Sequence, residues 1–314
     1  MKKLLNKRVL AVMLALVMVF SMSAVAFAVT GTGYYLLSDV GTQAYTAPIN
    51  VKVVLDSKQM DGMSTNGAVS QVYNVTLGSV GMSETVFTVR DAMLQLCASN
   101  TDIICYADSD FNLLAGNNDY IYAISVGNML YMPSLPAAGM ALDGWYFRIN
   151  DKIPLESLTG APITNGIKGA DIESATVKNG DVIHFYWNYP FQNTATTLYS
   201  AKYLGANTTY SNGVASVQIV KSDDYFDNNS DWHISNFTNY TGLGSGDAVN
   251  IYDANGVIKG SGTLSAAGSC TVNCTLTSGT TYYVAVESQS YDVVYGDDAV
   301  YILDETKVYS PFVA

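Results

Sequence analysis

Two periods of apolar residues run through this chain. One is helical: Val89, Ala92, Met93, Leu96 and Cys97 stand at i, i+3, i+4, i+7 and i+8, so one stripe of a helix over residues 88–98 faces a core. Thr88 can cap its start, and Asp91 sits where the positive end of the helix favours an acid. The other period is two, the mark of half-buried strands, and it predicts strands at 49–53, 72–77, 120–126, 144–150 and 182–189. In GWYFRIND, Trp145, Phe147 and Ile149 alternate with Tyr146, Arg148 and Asn150. The 182–189 segment is aromatic on both faces and is entered through a Lys178-Asn179-Gly180-Asp181 turn. Strand, strand, helix and further strands predict a small α+β domain, residues 47–192, with one helix on a mixed sheet.

Past residue 212 the helical period vanishes. Short strands are predicted at 214–220, 248–252, 257–264, 269–276, 282–286 and 299–303, separated by polar turns such as Asp253-Ala254-Asn255-Gly256 and Ser278-Gly279. That spacing predicts an antiparallel β-sandwich over 213–314. Residues 193–212, low in charge and rich in Thr, Ser, Asn and Tyr, read as a linker, and 29–46 as a loosely ordered lead-in. The fold class expected is therefore α+β followed by all-β.

The first 28 residues change the picture of where the chain works. Lys2, Lys3, Lys7 and Arg8 precede an apolar core at 9–20, and Ala26-Phe27-Ala28 is a small-residue cleavage site, together a secretory signal. Cleavage after Ala28 would leave 286 of the 314 residues, with no further apolar run long enough to span a membrane. The whole chain carries 15 basic and 27 acidic residues; loss of the four leader cations leaves 11 against 27, a formal charge of −16. Nucleic acid and anionic membrane surfaces need a basic footprint, so both are excluded as expected partners. The C-terminus has no hydrophobic tail with basic stop residues, so a covalent wall anchor is not expected. A secreted protein is, extracellular or held non-covalently at the cell surface.

Candidate chemistry is sparse. The two histidines, His184 and His233, lie far apart, and no G-x-S-x-G, H-E-x-x-H or P-loop string occurs, so no catalytic residues and no enzymatic activity are expected. Cys97 and Cys105 can close a short loop by a disulfide in an oxidising compartment, or remain thiols. Cys270 and Cys274, four residues apart on a strand, are about 13 Å apart and are expected to point inward as small apolar residues. Asp227, Asn229 and Asp231 have the oxygen spacing of a calcium loop, but the following Gly is missing and Thr238 stands where a bidentate Glu belongs. A solvated acidic loop is the favoured reading there. The best ligand candidates are Trp145, Tyr146, His184, Tyr186 and Trp187: one face of each strand fills the core, and the other is expected to present Tyr146 and Tyr186 outward, with His184 packed on that face or at its rim.

TVFTVRDAMLQL at 85–96, GWYFRIND at 144–151 and GADIESATVKNGDVIHFYW at 169–187 resemble, in this order, the threonine-initiated helix, signature strand and closing element of a family. It is the bacterial transcobalamin C-terminal-like domain family, of unknown function and found in exported proteins of Gram-positive bacteria. The resemblance covers residues 48–190. It departs at Asp151, where the family commonly has Gly, and in an insertion at 155–168. It implies a β-grasp-like fold close to the second domain of animal cobalamin carriers, and a corrinoid as the ligand to consider, although those carriers add a large helical partner domain. Residues 247–286 resemble carboxypeptidase-regulatory or prealbumin-like sandwiches through the D-x-N-G turn. The function expected is a non-catalytic extracellular interaction or surface module, needing no cofactor, whose partner is an envelope or extracellular protein or glycan. The alternative is a carrier of a small flat ligand such as a corrinoid.

Overall fold

The computed structural model describes residues 33–57, 70–132, 144–156, 169–188, 191–193, 197–199, 203–222, 225–226, 232–234, 236–243, 245–288, 291–295, 299–303 and 306–314. Residues 1–32, which include the expected leader, residues 157–168, and Asp227, Asn229 and Asp231 lie outside them. So do the side chains of Trp187 and His233. The described chain is mostly β, in several antiparallel sheets. No helix among the described residues is long and apolar enough to cross a membrane.

The first unit begins with a short strand β1 (Tyr34–Leu36), then β2 (Ile49–Asp56) and β3 (Ser70–Leu77), which pair as a hairpin. Helix α1 (Val89–Ser99) follows. Its start is fixed by a reciprocal cap: the Asp91 amide donates to Thr88 Oγ1 at 3.3 Å, and the Thr88 amide donates to Asp91 Oδ2 at 2.9 Å. The predicted stripe is the buried one, with Val89, Ala92, Met93 and Leu96 in the core. A three-stranded meander, β4 (Ile103–Tyr106), β5 (Ala123–Val126) and β6 (Met129–Tyr131), comes next. Then come β7 (Gly144–Ile149), β8 (Ile153–Leu155) and β9 (Val182–Asn188).

The main sheet runs β3-β2-β9-β7, with β2 and β9 parallel at its centre and the outer pairs antiparallel. Val51, Val53, Leu55, Ile183 and Phe185 face α1 across one core. The lead-in is not loose throughout, since β1 pairs in parallel with β8.

The second unit starts earlier than the sequence suggests. Residues 203–211, assigned to the linker, form strand β10 (Tyr203–Ser211), which pairs along its full length with β11 (Val214–Ser222). Thr and Ser dominate its wet face, and that face hid the inward Tyr203 and Leu204. The far side of β11 carries β12 (Thr238–Asn239) and, toward its start, a later strand, β15 (Ser269–Asn273). A second antiparallel sheet takes the order β14-β13-β16-β17, formed by β13 (Ala248–Tyr252), β14 (Ile258–Thr263), β16 (Thr281–Ser288) and β17 (Thr306–Val313). Val217 and Ile219 of one sheet meet Val249, Val284, Val286 and Phe312 of the other, an arrangement compatible with a sandwich. Cys270 and Cys274 are buried in that cluster as small apolar groups.

The two units share a seam. Val54 and Val182, on the face of the main sheet away from α1, pack against Tyr283, Ala285 and Tyr309 on the outer face of the β16–β17 sheet. The Tyr283 hydroxyl donates to the Gly180 carbonyl at 3.0 Å, and Lys52 Nζ donates to the Ala254 carbonyl at 2.7 Å.

Candidate functional site

The hairpin β7–β8 sets the geometry of everything nearby. Its loop is Asn150-Asp151, both left-handed (φ 52° and 67°), as a two-residue hairpin turn of this hand requires. Ile149 and Lys152 exchange both backbone hydrogen bonds across it. Asn150 accepts the Val182 amide and donates to Asp181 Oδ1 at 2.8 Å, so the turn is tied to β9 by side chain as well as backbone.

On the α1 side of this hairpin lies a cavity of about 280 Å³. Trp145, Phe147 and Phe185 form its floor, with Tyr146 at the edge, Ile153 and Pro154 on one side, and residues 119–121 and 169–172 on the others. Its walls are fixed by backbone bonds from Ala170 to Pro154 and from Ile172 to Asp119. The Trp145 indole donates to the Tyr131 carbonyl at 3.1 Å, and the Phe147 and Phe185 rings lie 5.6 Å apart. Asp119 and Asp171 supply the only charged groups among the lining residues. Asp171 Oδ1 already accepts the Ser174 amide and hydroxyl. A second, more open concavity of about 670 Å³ lies on β10, β11, β14 and β15. Asn207, Thr209, Ser216, Gln218, Ser269 and Thr271 line it, an uncharged wall of hydroxyl and amide groups.

The remaining sequence candidates are placed on the opposite face of the sheet. Tyr186 was expected to face outward; instead it and His184 are each 3 % exposed, because β10 and the β16–β17 sheet cover that face. A chain of polar contacts runs through the seam there. Tyr203 donates its hydroxyl to Asp151 Oδ1 at 2.7 Å and meets His184 Nδ1 at 3.2 Å. His184 Nε2 faces Asp56 Oδ2 at 3.7 Å. Arg148 donates to the Asp151 carbonyl at 3.0 Å and lies 4.0 Å over the Tyr203 ring. Gly205 stands against the Asp151 carboxylate, where a Cβ would come within 3.1 Å of Cγ. Burial raises the pKa of Asp151, against the lowering pull of its Tyr203 bond. Asp181 is pushed up to about 6, also chiefly by burial, although it accepts the Lys178 amide and the Asn150 side chain.

Trp145 and Tyr146 thus line the cavity, His184 and Tyr186 lie in the seam, and Trp187 stands in register opposite Trp145 on β9. Arg148, Asp151 and Tyr203 were missed. The signal available was Asp151 itself, an acid where a hairpin turn favours Gly. Cys97 and Cys105 are thiols whose sulfurs approach to 3.2 Å. Among the described residues, no three His, Cys, Asp or Glu side chains converge to hold a metal. No family model, curated protein or solved structure matches the chain.

Proposed function

We propose that the protein is a secreted, non-catalytic interaction module of a Gram-positive-type bacterium, acting outside the cell or at its surface on an envelope protein or glycan. One observation carries this reading. Among the described residues, the cluster of His184, Asp56, Asp151, Arg148 and Tyr203 is sealed in the seam between the units, and the first cavity holds two carboxylates, Asp119 and Asp171, with no histidine, cysteine or lysine in its lining. The two concave surfaces offer aromatic rings in one case and uncharged hydroxyls and amides in the other. Such surfaces suit recognition of neutral or weakly charged partners. In this reading the first unit is β-grasp-like and related to the transcobalamin C-terminal-like family. The parallel central pair formed by its first and last sheet strands, with one helix across a face, supports that assignment. The second unit is the β-sandwich.

A carrier of a small flat ligand is the second reading, favoured by the aromatic floor of the first cavity. Its volume lies at the lower edge of the roughly 300–1,000 Å³ usual for small-molecule sites, so it admits a flat fragment more readily than a whole corrinoid. The test is co-sedimentation of the mature chain with cell-envelope preparations. Retention should persist at high salt and fall about tenfold, some 1.4 kcal/mol, in Tyr120→Ala at the cavity rim. No retention, together with quenching of tryptophan emission by a small aromatic ligand, would favour the carrier. Turnover of an ester, peptide or glycoside by the pure chain would overturn both.

A further inference from the structure

We infer that Cys97 and Cys105 form a directional dithiol: Cys97 attacks an external disulfide, and Cys105 then closes the intramolecular bridge. Three observations point the same way. The sulfurs lie 3.2 Å apart, close enough to share a hydrogen bond and to bond after a small rotation. The two thiols differ in access: Cys97, in the last turn of α1, is half-buried, whereas Cys105 on β4 is 2 % exposed and faces the core. The hydrogen bond to Cys105 holds the Cys97 thiol below its usual range, while the same bond and burial push Cys105 well up. The accessible sulfur is therefore the better nucleophile, and the sealed one can act only from inside.

The steps balance with a small-molecule or oxidase disulfide, RSSR, as oxidant. The Cys97 thiolate attacks one sulfur of RSSR, forming Cys97–S–SR and releasing RS⁻, which takes up the proton lost by Cys97. Cys105 then gives up its proton and attacks the Cys97 sulfur, expelling the second RS⁻. Two thiols are oxidised and one RSSR becomes two RSH. Cys270 and Cys274 cannot follow this route. Each thiol lies against the backbone of its own strand segment, toward the carbonyls of Thr271 and Val272.

The bridge would tie the end of α1 to β4, and β4 braces the cavity wall. Tyr122, beside the lining residue Ile121, donates its amide to the Tyr106 carbonyl at 2.8 Å, and Leu114 donates to the Cys105 carbonyl at 2.9 Å. Oxidation is thus expected to slow hydrogen exchange at the Tyr122 and Leu114 amides. This inference stands whether the cavity binds a glycan, a protein or a small ligand.

The experiment is exposure of the folded, reduced chain to oxidised glutathione, followed by tryptic mass mapping. Peptide 91–148 carries both Cys97 and Cys105, and peptide 260–307 carries the other pair. The first should lose two hydrogens and the second none. Cys105→Ala should accumulate a glutathione adduct on Cys97, whereas Cys97→Ala should form its adduct on Cys105 at least about tenfold more slowly while folded. Far-ultraviolet dichroism of each variant establishes that it is folded. The inference fails if peptide 91–148 keeps both hydrogens, if Cys105 is modified first, or if Cys97 links two chains instead.

Discussion

At the scale of single residues, Asp151 bears the largest consequence. A left-handed conformation costs a non-glycine residue about 1–2 kcal/mol, so its persistence needs compensation elsewhere. That compensation is visible: the carboxylate receives the Tyr203 hydroxyl in a dry seam beside the Arg148 guanidinium. Gly205 leaves the room for it. Gly205→Ala should therefore destabilise the protein by about 1–3 kcal/mol, because the carboxylate is held on a constrained turn and cannot retreat from the new methyl group. The same substitution made in an Asp151→Gly background should cost far less. A urea-denaturation double-mutant cycle measures the difference, and a coupling below about 0.5 kcal/mol would show that the crowding is relieved some other way.

At the scale of elements, α1 was fully legible, because one period, one cap residue and one acid specify it without help from distant chain. Thr88→Ala should accordingly cost about 1 kcal/mol of stability, read as a lowered denaturation midpoint with an unchanged slope. Strand β10 was illegible for the opposite reason. Its exposed residues, Thr209 and Ser211, carry the composition of a loop, and its inward residues only make sense once the facing sheet is present. β9 lay between these cases. Its strand character was plain from Val182, His184 and Tyr186 alternating with Ile183 and Phe185, yet alternation alone could not say what covers the second face. A run apolar and aromatic on both sides is what a strand buried on both sides shows, and Val53, Val54 and Leu55 of β2 repeat it. That signal pointed to a covered sheet rather than an open binding face. The cavity could be read only in part, since Trp145 and Tyr146 were singled out but the 119–121 and 169–172 walls are set by tertiary contacts.

At the scale of the whole molecule, two sheets joined through a polar seam should make stability depend on pH in an unusual direction. Most carboxylates in folded proteins are stabilised as anions, and their contribution is lost as pH falls. Asp181 behaves oppositely: burial lifts it from its ordinary value of 3.8 to about 6, so the folded state holds its proton more tightly than the unfolded chain does. Its contribution is most favourable below pH 3.8, declines as pH rises from 3.8 to about 6, and is constant above that. A shift of that size corresponds to about 3 kcal/mol, an order-of-magnitude figure. Asp151 is shifted the same way by the same cause, and the net negative charge of the chain adds self-repulsion that also grows with pH. Unfolding free energy measured in urea should therefore fall between pH 4 and pH 6. Asp181→Asn separates the local effect from the global one, because it removes the titrating group while leaving an oxygen for the Lys178 amide or the Asn150 side chain. The variant should show a visibly shallower decline across that window, whatever its absolute stability. An unchanged slope would mean that the seam keeps Asp181 ionised, with its two donors outweighing its burial.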